Sequence, residues 1–310
     1  MTIPSVSAVI FFYNHEGVFD VVNSAINQKF PFSEIIVIDD GSDYQLNEEV
    51  KSYCKNISNL KFITINKNSG IPSAMKKGIL NTTCDYFYLM SCGDMYQDNL
   101  LKHYYSIDWN NGFPGIIASG IYTLVEGETR KVKYLQDTKK NVTYINEDYK
   151  LLLKNSSNLF YGGGCIVHNK ISIETLQFFC RLEWAADFFM YYYVAYKKGV
   201  IFSNHISMTN LIHKNQYSSL IDGKKTLKIA REYINCCNEI DDKFYEFISS
   251  SNLMPAYSIR IAIEILIRKD MRAFFKPRTI LRCVTHDLGR IISPITSFRV
   301  KNFMRKYLKL

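Results

Sequence analysis

Apolar residues in this chain fall into short unbroken runs near the N-terminus, with helically spaced sets between and after them. Val6 to Phe12 is a continuous β-prone run, the pattern of a strand covered on both faces. Glu34 to Ile38, Lys61 to Ile65 and Tyr86 to Met90 read as three further strands. Val18, Val21, Val22, Ala25 and Ile26 share one side of a helix over about Val18 to Gln28, which stops before Pro31. Helices near Leu46 to Cys54 and Pro72 to Ile79 separate the later strands. Strands alternating with helices predict an α/β fold with a mainly parallel sheet and right-handed crossovers. Ligands in such sheets bind beyond the carboxyl ends of the strands.

Past Asp98 the pattern is less regular, with strands expected at Gly115 to Ser119 and Thr123 to Val125. Gly162-Gly163-Gly164-Cys165 leads into another through Val167, and a helix is expected over about Ala185 to Tyr196. Beyond Tyr217 the reading turns helical: Leu227, Ala230, Ile234 and Cys237 recur at helical spacing, as do Ile259, Ile263, Leu266 and Ile267. The expected division is one α/β domain over residues 1–220 and a helical C-terminal region over 221–310. No internal repeat interrupts it.

Charge sharpens this division. Residues 260–310 carry 13 Lys and Arg against 3 Asp and Glu, a balance of +10; the net charge of the chain is +9, so residues 1–259 stand at −1. In the tail Val300, Phe303, Met304, Tyr307 and Leu308 fall on one helical side, with Lys301, Arg305, Lys306 and Lys309 largely opposite. That pattern predicts a basic amphipathic helix lying on an anionic membrane, the alternative being a helix docked on the main domain with its basic face in water. Nucleic acid is not an expected partner, since no nucleic-acid fold motif accompanies the charge. The eight cysteines form no C-x-x-C pair and no zinc-type spacing with histidine, so most of them read as reduced, buried small hydrophobes. No window approaches the roughly 18 uncharged apolar residues of a spanning helix, and Ala8 to Phe12 is too short for a signal peptide. A cytoplasmic protein, peripheral on the inner face of the cell membrane, is the expected setting.

Two carboxylate sites sit where the sheet would present a ligand, and a third lies in an aromatic helix. Asp39-Asp40-Gly41-Ser42 ends the second strand, where the acids can accept from a base or ribose, although Asp and Gly also form turns for local backbone reasons. Ser91-Cys92-Gly93-Asp94 ends the fourth strand, and a single carboxylate there suffices for a hard cation that draws the rest of its shell from a diphosphate and water. Asp187 stands in Ala185-Ala186-Asp187-Phe188-Phe189-Met190, where apolar surroundings raise a carboxylate's pKa toward that of a general base.

With the Ser7 to Asn14 strand, these segments resemble the inverting glycosyltransferases of family 2, which have the GT-A fold; the resemblance covers roughly residues 4 to 220. It implies an α/β, Rossmann-like fold, mainly parallel and flanked by helices, with the C-terminal helical, basic region as an appendage. It also implies that Tyr13 and Asp40 contact the nucleotide, that Asn68-Ser69-Gly70 with Ala74 and Gly78 forms the glycine-bearing start of a helix, and that Asp94 holds Mg²⁺ or Mn²⁺. Asp187 becomes the base that deprotonates the acceptor hydroxyl, with Glu183 four residues before it. His213 becomes a metal or phosphate contact in a loop closing over the diphosphate. The chain departs from the family at three positions: Gly93 and Ala186 stand where acids are usual and Met75 where a cation is, with Lys76 and Lys77 beside it as solvated surface. The implied activity is a metal-dependent inverting transfer of a hexosyl group from a nucleotide sugar, a UDP-sugar, to a glycan acceptor. A lipid-linked acceptor of bacterial capsule or O-antigen assembly suits the basic tail. Two alternatives stay open: a nucleotide-sugar-binding protein without catalysis, and a sugar nucleotidyltransferase of similar fold.

Overall fold

The computed structural model describes residues 3–107, 109, 113–125, 128–131, 142–144, 160, 163–212, 223–251, 253–255 and 259–268, with 272, 274, 279–281, 283 and 284 beyond them. His213, Gly162 and the tail helix expected over residues 300–309 lie outside the described residues. The chain divides into two compact units, one of residues 1–152 with 158–220 and one of residues 221–310 with 153–157.

In the first unit β1 (Val6–Phe12), α1 (Val18–Ile26), β2 (Glu34–Asp39), α2 (Tyr44–Cys54), β3 (Leu60–Thr64), α3 (Ile71–Asn81) and β4 (Tyr86–Ser91) alternate as the sequence predicts. After β5 (Met95–Tyr96) come β6 (Ile116–Val125), β7 (Glu128–Lys131), β8 (Val142–Tyr144), β9 (Cys165–His168), α4 (Ala186–Lys198) and β10 (Val200–Ile212), with short helical turns before β6 and α4. The strand order is β3-β2-β1-β4-β9-β6-β10-β5, with β7 on β6 and β8 on β10. β3, β2, β1 and β4 are mutually parallel, and β10 runs parallel to β6. The antiparallel β9 joins the two halves by pairing with both β4 and β6.

The two faces of β1 explain why its sequence is apolar throughout. Val6, Ala8, Ile10 and Phe12 pack in one cluster with Val18, Val21, Val22 and Ala25 of α1 and Val50 and Cys54 of α2. On the other face a Cβ placed on Gly78 of α3 would lie 2.3 Å from Val9 Cγ1, so α3 rests directly on the sheet. Ile36, Ile38 and Ala74 continue that second layer. β3, at the sheet edge, has no buried residue, and its sequence is correspondingly mixed.

Three expectations change. Gly115 to Ser119 and Thr123 to Val125 are parts of one strand, β6. β10 is a 13-residue strand with no counterpart in the sequence reading, because its register shifts between Phe202 and Ile206 and again before Met208. Such bulges break the period-2 pattern and re-aim the residues beyond them. In the second unit α5 (Gly223–Ile240), α6 (Asp242–Ser251) and α7 (Ile259–Ile267) are all helical, as the reading beyond Tyr217 expects. α7 presents a different face: Ile261, Ala262 and Ile265 are buried, whereas Ile263, Leu266 and Ile267 are exposed. Glu264 explains the rotation, since it reaches back to Arg231 of α5 at 2.7 Å.

No helix among the described residues is long and apolar enough to cross a membrane.

Candidate active site

The registers bring the carboxyl ends of β1, β2 and β4 together. Phe12 lies opposite Asp39, and Phe11 opposite Ser91, so Tyr13, Asp40 and Asp94 emerge along one edge of the sheet. β9 runs the other way, with Ile166 opposite Tyr88, and therefore begins at this same edge. Its Gly163-Gly164 entry is thereby set beside the end of β4. A Cβ on Gly163, at φ 80°, would lie 2.9 Å from Met208 Sδ and 4.0 Å from the Leu89 carbonyl. Glycine is needed there for conformation and for space.

Asp39 and Asp40 are both buried, and they divide the work. Asp39 Oδ1 accepts from the Ser42 N–H at 2.9 Å and its other oxygen accepts from the Asn47 amide, which closes the turn onto α2. Asp40 Oδ1 accepts from the Ser69 N–H at 2.9 Å and the Ser69 hydroxyl at 2.6 Å, and Oδ2 accepts from the Gly70 N–H at 2.8 Å. Gly41, at φ 80°, makes this contact possible, because a Cβ there would lie 2.6 Å from the Asn68 nitrogen. The structure thus brings Asp40, Asn68 and Gly70 into one network ahead of α3, with Asn68 Oδ1 accepting from the Gly70 N–H at 3.0 Å. Oδ2 of Asp40 keeps acceptor capacity for one more donor. Tyr13 is exposed at the neighbouring strand end.

Replacing Asp40 by alanine would strand the Ser69 N–H and leave the Gly70 N–H to Asn68 Oδ1 alone. Hydrogen bonds to a charged group contribute about 1.5–3 kcal/mol each, and a net loss of about 2–3 kcal/mol is expected from the network. Urea denaturation checks it; an unchanged midpoint would show that water replaces the carboxylate at no cost.

Asp94 is partly exposed and held from two sides. Its Oδ2 accepts from the Ser91 hydroxyl, and its Oδ1 accepts from Asn210 Nδ2 at 3.1 Å. Asn210 reaches it because Thr209 of β10 pairs antiparallel with Met95 of β5, which places the next residue of one strand against the preceding residue of the other. Asn210 escaped the sequence reading, since a lone Asn in an unrecognised strand gives no signal. One carboxylate with hydroxyl and amide neighbours is a hard-oxygen environment, which suits a cation completing its shell from phosphate and water. No cluster of three or more His, Cys, Asp or Glu that could hold a metal forms among the described residues.

Asp187 stands in the first turn of α4, and its Oδ1 accepts from the Phe188 N–H at 2.8 Å. Burial pushes its pKa up to about 6, against the lowering effect of the Phe188 and Asp187 N–H groups. Glu183, four residues earlier, has a left-handed φ of 47°. A non-glycine residue held there signals strain imposed by its surroundings.

Between Asp94 and Asp187 lies a set of buried groups. Burial raises Tyr96 and Tyr88, and the Asp94 charge adds to both. Burial likewise raises Cys165 and Tyr191, with the Asp187 charge adding to both, and Cys165 in turn acts on Tyr88. The Gly163 N–H faces the Tyr191 hydroxyl without closing a hydrogen bond of normal geometry. The two carboxylates, from distant parts of the chain, therefore act on one connected set of buried groups, Tyr88 and Cys165 linking the two ends. Met75 and Ala186 are both buried, so neither position presents a side chain to a ligand. Lys76 is partly exposed and Lys77 exposed.

Comparisons with known proteins give the family and the fold. The model of "Glycosyl transferase family 2" matches residues 7–173. An uncharacterized glycosyltransferase of Rickettsia felis is 25% identical over 219 residues, which are 70% of this chain but 36% of the relative, so the chain spans about a third of that protein's length. A poly-β-1,6-N-acetyl-D-glucosamine synthase of Staphylococcus epidermidis is 28% identical over 98 residues, 31% of this chain and 24% of the synthase. Among solved structures, S. aureus TarS 1–349 in complex with UDP-GlcNAc superposes with a TM-score of 0.57 at 14% identity over 92% of both chains. The likeness to TarS shows the fold, a mixed α/β sheet flanked by helices.

Proposed function

The chain belongs to glycosyl transferase family 2, and from that premise we propose that it is an inverting transferase, moving a hexosyl group from a UDP-sugar to a hydroxyl of a lipid-linked glycan in bacterial surface polysaccharide synthesis. The observation that carries the reading is the pair Asp94 and Asp187 coupled through the buried Tyr88 and Cys165, with the second held at a pKa of about 6. UDP as the carrier is supported by the TarS complexes, solved with UDP and with UDP-GlcNAc. Polysaccharide synthesis is supported by the Staphylococcus epidermidis relative.

In this mechanism Tyr13 stacks on the base while Asp40 Oδ2 accepts from the base or ribose, and the Asn68 to Gly70 loop backs them. Asp187 is ionised at neutral pH yet more basic than an ordinary carboxylate, the compromise a general base requires. It takes the acceptor's hydroxyl proton as that oxygen bonds to the anomeric carbon. The bond from that carbon to the diphosphate oxygen breaks, and its electron pair leaves with UDP. Attack from the opposite face inverts the centre. Mg²⁺ or Mn²⁺, held by Asp94, would supply neutralising charge to the departing diphosphate. The basic tail would hold the enzyme at an anionic membrane, where a lipid-linked acceptor lies.

A second reading, a UDP-sugar-binding protein without catalysis, draws on Met75, Gly93 and Ala186 in place of charged family residues. UDP release from a panel of UDP-sugars, with and without bacterial lipid extract, separates the two. Release that depends on both donor and extract is the expected outcome; UDP binding with no release under any combination would favour the second reading.

A further inference from the structure

We propose that His15 binds the diphosphate, donating its Nε2–H to a phosphate oxygen of the nucleoside diphosphate beside the Asp94 turn. This deepens the nucleotide-sugar reading and rests on it. Three observations carry it.

The first is the loop after β1, which is fixed by the loop after β2. Asn14 has a φ of 45°. Its N–H donates to Ser42 Oγ at 2.9 Å, and its Oδ1 accepts from the Asp43 N–H at 2.8 Å. Asparagine enters the left-handed region more readily than other L residues, and these two bonds hold it there. The β2 loop therefore imposes this turn, and the turn aims residue 15 across the strand ends.

The second is the seat of the imidazole. A Cβ on Gly17 would lie 2.8 Å from Cε1 and Nδ1 of His15, so the ring occupies the space a side chain at 17 would fill. A Cβ on Gly93, at φ 93°, would lie 3.7 Å from Nε2. The Nε2 edge thus faces the turn that carries Asp94, and His15 is exposed, so this edge is open to a ligand.

The third is the tautomer. The Gly17 N–H donates to Nδ1 at 3.0 Å, which occupies that lone pair. The neutral ring must then carry its proton on Nε2. Nε2 is a hydrogen-bond donor here, suited to a phosphate oxygen and unsuited to a metal, which would need its lone pair. Asp94 and His15 thereby offer the same diphosphate two different contacts, one through a cation and one direct.

NMR titrations with UDP and with uridine, each in EDTA and in Mg²⁺, test this on the wild type, His15→Ala and His15→Gln. The alanine variant is expected to bind UDP about tenfold more weakly in either medium and uridine unchanged. Glutamine, which keeps an N–H donor, is expected to recover part of the loss. The imidazole ¹⁵N shifts of the wild type should report a proton on Nε2 and respond to UDP but not to uridine. Equal loss for UDP and uridine would make His15 a loop support, and loss confined to Mg²⁺ would make it a metal ligand; either overturns the proposal. UDP binding equally to wild type and His15→Ala overturns it alone, whereas no UDP binding to the wild type overturns it together with the reading beneath it.

Discussion

Asp187→Asn is expected to reduce sugar transfer by about 10²–10⁴-fold and, at neutral pH, to make the folded protein more stable. Both effects have one cause. Burial raises the carboxyl to a pKa of about 6, against about 3.9 in an unfolded chain. Between these values the folded state holds a proton that the unfolded state has lost, so stability falls as pH rises through that window. Above about pH 6 the ionised carboxylate costs the fold up to about 3 kcal/mol. Asparagine carries no charge and keeps an oxygen for the Phe188 N–H, so it removes this cost and the proton acceptor together. Thermal unfolding should show the variant more stable at pH 8 and level with wild type at pH 4. Wild-type transfer should fall about tenfold per pH unit below about 6, because only the ionised form takes the hydroxyl proton. A variant that transfers within tenfold of wild type, or a flat profile between pH 5 and 7, would remove Asp187 from the role of base.

What could be read in the sequence follows from how completely each element is buried. β1, β2 and β4 are covered on both faces, so their residues are apolar without interruption and the runs locate them to within a residue or two. The acids at their ends could be found because a carboxylate just past such a run can only be at the strand's rim. β10 fails both conditions. It mixes Ser203, His205, Ser207 and Thr209 with its apolar residues, and its register shifts twice, so no simple period marks it. Ser207 among them is satisfied by tertiary partners that sequence does not reveal, its hydroxyl meeting Tyr88 at 3.0 Å and Ser119 at 2.5 Å. Asn210 and the seat of His15 depend on that register and on the turn at Asn14, and both are set by contacts across the sheet. α7 was rotated for the same reason, since the Arg231 to Glu264 ion pair fixes a face that its apolar spacing leaves ambiguous. Met75 shows the converse, because a position that family likeness marks for charge is here part of the core.

Replacing Asp94 should damage the leaving-group side of the reaction as Asp187→Asn damages the acceptor side, and Asp94→Asn isolates charge from structure. The carboxylate accepts two hydrogen bonds, from Ser91 on one oxygen and Asn210 on the other. An asparagine at 94 can keep its oxygen toward the Asn210 amide and turn its own NH₂ toward Ser91 Oγ, which accepts as readily as it donates. Folding stability should therefore change by less than about 1 kcal/mol. What is lost is the negative charge that a hard cation requires. Stabilisation of a departing diphosphate by a bound cation contributes several kcal/mol, so transfer should fall by about 10²–10³-fold. Raising Mn²⁺ should recover part of the rate if the defect lies in cation affinity. The loss should not track pH around 6, which distinguishes it from the loss at Asp187. Full activity in a folded Asp94→Asn protein would place the leaving-group stabilisation on other groups, with His15 the first to examine by combining the two variants. If His15 and Asp94 act on the diphosphate independently, their effects on UDP affinity should add; if both work through the cation, the second substitution should cost much less than it does alone.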